Sequence, residues 1–244
     1  MNIFFTIFYQ PIFNLLVWLY NTMPGQDLGL AIILLTLIIR LLLYPLSQKS
    51  IRSQKELSSI QPEIEAIKEK FKDEKDKMGP ALMALYKEKN INPFASCLPL
   101  LIQLPFLFAI YRVFFDGLTK DTAMSALYGF VANPGHLDTM AFGFFDLAQK
   151  SWILAILAGA AQFWQSKMMM NKRQVSVSPN NPLGAMSQQM LYFMPVMTII
   201  IGLRLPAGLT LYWFFSTLLM ALQQVWQFKK PAVSDKIIEG EIVK

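Results

Sequence analysis

The run LGLAIILLTLIIRLLLYPL, from Leu28 to Leu46, carries one charge, Arg40, in an otherwise apolar block. Such a segment needs a solvent that does not penalise apolar surface. The hydrocarbon layer of a bilayer is about 30 Å thick, and about 20 apolar residues cross it as a helix. Further apolar blocks lie at Pro93 to Phe115, Trp152 to Met170, Met190 to Leu203 and Leu205 to Val225. Hydrophobic residues make up 54% of the chain and charged ones 16%, against about a quarter charged in soluble domains. The bilayer is therefore the expected solvent for most of this sequence. The expected fold class is all-α: a polytopic membrane protein with a five-helix transmembrane bundle. Its spans are placed at about residues 28–46, 93–115, 152–170, 188–203 and 205–227.

The first two of these blocks are joined by a very different segment. Ser47 to Asn92 holds ten Lys/Arg and eight Asp/Glu residues. Within it Ile60, Ile64, Ile67 and Phe71 follow a 4-3-4 spacing, which aligns them on one face of an amphipathic helix. Met78, Leu82, Leu85 and Tyr86 form a shorter second face, with Gly79-Pro80 placed near the start of that arm. The pattern predicts a helical hairpin over 48–91, with Pro62 as a kink or late start of its first arm.

Residues 1–24 form a separate N-terminal element. Asn2, Thr6, Gln10 and Asn14 recur every fourth position, a narrow polar stripe on an otherwise apolar cylinder. The stripe suits a helix lying in the membrane interface; a sixth span is the alternative. The segment lacks the basic start and small-residue cleavage site of a signal peptide. A loop from Asp116 to Lys150 contains the turn Asn133-Pro134-Gly135, and the charged residues 231–244 form a tail. Counting Lys and Arg on each side sets the orientation. The hairpin has ten, the loop around Lys172 and Arg173 two and the stretch from Lys229 to Lys244 four, so these face the cytoplasm. The same bias accounts for the net charge of +6 without nucleic acid as a partner.

Arg40 is the sharpest candidate for function, because a charge within a span costs about 2.5–3.5 kcal/mol on insertion scales. No Asp or Glu occurs in the other proposed spans, so an intramembrane salt bridge with another helix is excluded. Two readings remain: the guanidinium snorkels to the headgroups, or it faces a water-filled cavity in the bundle. Gln103, Gln162 and Gln165 are polar residues at membrane depth that could line the same cavity. They could equally serve as interhelical hydrogen bonds. Ser96, Ser216 and Thr217 are secondary candidates on the same grounds, and Gln223 and Gln224 lie near the end of the last span. The absence of intramembrane carboxylates argues against an ion-coupled transporter. One cysteine, Cys97, and one histidine, His136, leave no zinc or haem ligand set. No G-x-x-x-x-G-K-[ST] loop, GxSxG or HExxH motif occurs, so neither a nucleotide cofactor nor an intramembrane protease is expected. No enzyme activity and no cofactor of any kind are expected.

The run NPFASCLPLLIQLPFLFAIYRVF, Asn92 to Phe114, resembles the NPxxxCLPxLIQxPxxxALY signature of the YidC/Oxa/Alb insertases. LPAGLTLYWFFSTLLMALQQ, Leu205 to Gln224, resembles their last-span signature PxGLxLYWxxSNxxxxxQQ, with Thr217 standing where asparagine is common. Arg40 with Tyr44-Pro45-Leu46, and the basic hairpin with Gln61-Pro62-Glu63, match two further features in order. The resemblance covers about Leu28 to Lys230. It implies a membrane protein insertase and chaperone of the bacterial plasma membrane, of the short type without a large outer domain, with a hydrophilic groove open to cytoplasm and lipid. It places Arg40 in that groove, with Tyr212, Trp213 and the glutamines Gln162 and Gln165 as neighbours, and makes the hairpin a substrate-capture element. The implied partners are nascent membrane proteins and lipid, with the ribosome and the Sec translocon as further ones. A small-solute channel or transporter is the alternative reading, and a structural assembly factor a third.

Overall fold

The computed structural model describes residues 3–92, 98–117, 121–169 and 182–228. The expectations for Ser96, Cys97, Lys172, Arg173 and the charged tail fall outside the described residues. Among those residues nine α-helices follow in order: α1 (Gln10–Thr22), α2 (Leu28–Leu42), α3 (Tyr44–Ser59), α4 (Gln61–Lys70), α5 (Lys75–Glu88), α6 (Leu98–Arg112), α7 (Trp152–Met169), α8 (Pro182–Gly202) and α9 (Ala207–Phe228). The fold is thus nearly all-α. The exception is a two-stranded hairpin, Met140–Ala141 against Phe145–Asp146, in the loop before α7.

Local chemistry sets the helix ends. Asp27 caps α2 by accepting a 2.9 Å bond from the Leu30 N–H. Pro45 ends α2, because it has no N–H for the Leu41 carbonyl and its ring crowds that carbonyl. The chain bends 65° there and continues as α3. This corrects the straight span expected over 28–46: α2 covers 15 residues, about 22 Å at 1.5 Å per residue. Among the described residues no single helix is long and apolar enough to cross a membrane, and the bent pair α2–α3 passes that test only together.

Helix α9 is the centre of the packing, against α7 on one side and α2 on the other, and α8 packs on α7. Close approach needs small residues here. A Cβ on Gly208 at the start of α9 would lie 2.1 Å from a ring carbon of Phe114, and one on Gly159 of α7 would lie 2.3 Å from Ile199. The buried core includes Phe13, Leu16, Leu28, Ile32, Leu35, Ile110, Leu209 and Tyr212. Large apolar side chains also cover the outside: Leu41, Leu42, Phe108, Ile156, Phe193, Val196 and Trp226 are exposed.

The inner end of the N-terminal polar stripe is bonded within the protein. Asn14 is only 3% exposed and Gln10 is half-buried, while Thr6 of the same stripe is exposed. Gln10 Nε2 and Asn14 Nδ2 donate to the Ala126 carbonyl at 3.1 and 3.0 Å, and Asn14 Oδ1 accepts from the Tyr128 N–H at 2.6 Å. Asn21 Nδ2 donates to the Ala132 carbonyl at 2.7 Å. These amides satisfy backbone groups of the loop before α7. The loop's end is also fixed: Ala207 N–H and Gly208 N–H donate to the carbonyls of Gln149 and Leu147.

In the polar segment α3 packs on α9, and α4 and α5 pair as a helical hairpin. Its apolar seam is Ile60, Ile64 and Leu85, with Ile67, Leu82 and Tyr86 packed around it. Pro62 sits in the first turn of α4, a late start rather than a kink. Pro80 lies inside α5, which begins earlier than expected, at Lys75. Glu63 and Lys89 close the seam with a 2.9 Å ion pair.

Candidate functional site

Arg40 lies on the last turn of α2 and reaches across to α9. Its Nε and Nη2 both donate to Ser216 Oγ, at 3.0 and 2.7 Å. Gln103 of α6 donates to the same oxygen at 3.3 Å and to the Tyr212 hydroxyl at 2.6 Å. Tyr212 and Ser216 are four residues apart, so they lie one above the other on α9. Three helices thereby bring one guanidinium, one amide and two hydroxyls to a point, and Tyr212 is fully buried there.

The cluster is cationic, and no carboxylate pairs with it among the described residues. Ser and Tyr hydroxyls and a glutamine amide accept hydrogen bonds but carry no charge. The ion pairs among the described residues are all in α3 and the hairpin, and none involves Arg40. Of the five guanidinium N–H donors, two point at Ser216, which leaves three without a partner among the described residues. Such a group is ready to hold an acidic or carbonyl-bearing ligand. Among the described residues no carboxylate or histidine bonds to Ser216; its donors are Arg40 and Gln103.

Among the residues expected at the site, Arg40, Gln103 and Tyr212 come together. Gln165 is buried on α7 and Gln162 is half-buried one turn away, but no hydrogen bond joins either to the cluster among the described residues. Trp213 follows Tyr212 by about 100° around the helix and is half-exposed. In the hairpin, Ile60 and Ile64 are buried in the seam with Ile67 packed beside them. Phe71 stands apart at the end of α4, under the Lys70 ammonium. These isoleucines hold the hairpin together, and the large apolar side chain that the hairpin does expose is Met83. Ser216, a secondary candidate in the sequence, is the shared acceptor of the cluster. Its signal was the four-residue step from Tyr212, which puts both hydroxyls on one α9 face.

The 60Kd inner membrane protein family model matches residues 18–233, from α1 through α9. The chain belongs to this family. The 60Kd inner membrane protein match is supported by curated relatives. A protein named membrane protein insertase YidC from Fusobacterium nucleatum is 34% identical over 226 residues, covering 92% of this chain and 98% of that protein. Proteins of the same name from Rickettsia africae and Rickettsia bellii are each 33% identical over 223 residues, covering 91% of this chain. The chain spans only 39% of the length of those Rickettsia relatives. Within the 60Kd inner membrane protein family, then, this chain has nearly the same extent as the Fusobacterium protein.

Proposed function

We propose that this protein is a membrane protein insertase that acts through the polar cluster around Arg40. The observation that carries the reading is an inverted distribution of polarity. Arg40, Gln103, Ser216 and Tyr212 meet between α2, α6 and α9, while Leu42, Phe108, Phe193 and Trp226 are turned outward. Exposed apolar surface of this extent suits lipid contact, and the inward polar groups suit a hydrated cleft. Membership of the family and the names of its relatives point the same way.

In this reading α2, α6, α7, α8 and α9 are the five spans of a bacterial plasma membrane protein. The α3–α5 segment and the tail lie in the cytoplasm. A newly made single-span protein meets the hairpin first. Its short acidic outer segment enters the cleft and pairs with the spare donors of Arg40, which lowers the cost of bringing carboxylates to membrane depth. Its apolar segment then leaves sideways into lipid, driven by about 25 cal/mol per Å² of apolar surface transferred. No bond is made or broken, so no catalytic residue is assigned. The ribosome and the Sec translocon are partners on the cytoplasmic and lateral sides.

The test is reconstitution. The purified chain in liposomes should insert a single-span substrate without nucleotide, scored by protease protection, and should not conduct small solutes. Solute flux with no insertion would favour a channel instead.

A further inference from the structure

The β-hairpin before α7 turns large apolar side chains outward. Phe144 at its turn is 76% exposed, Trp152 at the start of α7 is 65% exposed, and Phe142 is exposed as well. Phe142 also has a φ of 55°, a left-handed backbone that glycine or asparagine adopts far more easily. A bulky residue held in that conformation points to a role for its side chain. The turn is fixed to the start of α2 in two ways. Asp27, which caps α2, also accepts from the Phe142 N–H. A Cβ on Gly29 would lie 2.7 Å from the Ala141 Cβ and 3.0 Å from the Phe142 ring, so glycine is what lets the β-hairpin come this close. Just beyond it, Leu147 and Gln149 accept from the first N–H groups of α9, and Lys150 pairs with Pro206. The β-hairpin therefore sits at the end of the bundle where α2, α7 and α9 begin.

We infer that this rim is an anchor in the phospholipid headgroup layer on the outer face of the membrane, and that it fixes the depth of α2. Aromatic side chains settle at the boundary between headgroups and acyl chains. The patch is continuous with Leu30 of α2 and Ile153 and Ile156 of α7, which are also turned outward. Charge complements it. Lys150 and Arg204 are exposed on the two segments that meet at Pro206, and neither is in an ion pair among the described residues. Their long stems reach lipid phosphates while lying along apolar surface. The neighbouring carboxylates are engaged internally: Asp138 accepts from the Met140 N–H, and Asp146 from Thr139 and the Ala148 N–H. Arg40 follows Leu28 by twelve residues on α2, about 18 Å along the axis. An anchor bonded to the Asp27 cap thus sets how far the guanidinium stands below the outer headgroups. The inference rests on the membrane placement in the reading above, and not on insertion itself.

The test uses the full chain in vesicles of phosphatidylethanolamine and phosphatidylglycerol, with no substrate protein. Benzoylphenylalanine replaces Phe144 in one preparation and Phe193, on the outward side of α8, in another. Illumination should give phospholipid adducts at both positions. Adducts at 193 with none at 144 would overturn the anchor, as would crosslinked dimers in place of lipid adducts at 144. No lipid adducts at either position would contradict the membrane placement itself. Depth is read separately from a nitroxide on Leu30→Cys in a Cys97→Ser chain, by its accessibility to oxygen against a water-soluble nickel chelate. Phe142→Gly with Phe144→Ser removes both rings and relieves the left-handed turn, so the fold is kept. This pair should shift the label toward water and lower the oxygen-to-nickel ratio. Lys150→Glu with Arg204→Glu is the independent variant and should shift it the same way. A lowered ratio in either double variant supports the inference, and an unchanged ratio in both overturns it.

Discussion

Arg40 rests on Ser216: Nε and Nη2 of the guanidinium converge on one hydroxyl oxygen, at 3.0 and 2.7 Å. The contact orients the cation without neutralising it. Ser216→Ala would leave two guanidinium donors and one Gln103 bond without their acceptor. Loss of a partner to a buried charged donor costs about 1–3 kcal/mol. A lowered melting temperature in detergent, with reduced insertion, is the expected outcome. Unchanged values in both would mean that water replaces Ser216 freely.

The second prediction concerns the loop before α7. Asn14→Leu keeps the volume of the side chain but removes the bonds to Ala126 and Tyr128. The Tyr128 N–H then loses its partner, at about 1–3 kcal/mol if it stays buried, while the Ala126 carbonyl keeps its bond from Gln10. Hydrogen exchange should show faster exchange of the Tyr128 amide, with α7 and α9 unaffected.

Packing supplies the third. Gly208→Ala would place a Cβ 2.1 Å from Phe114, so α9 or the Phe114 ring must shift. Overpacking of this kind costs about 1–3 kcal/mol. A melting curve tests it, and Phe114→Leu in the same chain should restore part of the loss.

The loop also gives a pH dependence. Hydrogen bonds from the Ala148 N–H first, and from Thr139, hold the Asp146 carboxyl below the usual carboxylate range. A depressed folded value means that its stabilisation is present above the unfolded value and is lost as pH falls through the folded one. Amide protection at Ala148 should therefore persist through mildly acidic pH and fade only below the ordinary aspartate range. In Asp146→Asn the protection should not vary with pH over that window.

Much of this arrangement was legible in the residues, for identifiable reasons. The 4-3 spacing of Ile60, Ile64 and Ile67 reports burial directly, and the hairpin seam follows it. Arg40 and Gln103 stood out because polar groups in apolar blocks need partners. The partners were harder to see. Ser216 is a small, common side chain whose importance comes only from α9 lying beside α2. The Asn14 stripe has the same period whether it meets water or a loop, and only the tertiary fold puts Ala126 and Tyr128 against it. The break after Leu42 was written in Pro45, but the surrounding apolar run masked it.

The central claim is that Arg40 acts as an unpaired cation for acidic substrate segments. It is tested most directly by measuring insertion rates in liposomes for single-span substrates whose outer segments carry zero, one or two Asp residues. Wild type, Arg40→Ala and Arg40→Lys would be compared. Wild type should favour the acidic substrates, and Arg40→Ala should lose roughly tenfold on them, the factor given by about 1.4 kcal/mol, with less change on the neutral one. Arg40→Lys should keep part of the preference, since it retains the charge but not the paired donors. An Arg40→Ala protein that inserts all three substrates at the wild-type rate would contradict the account.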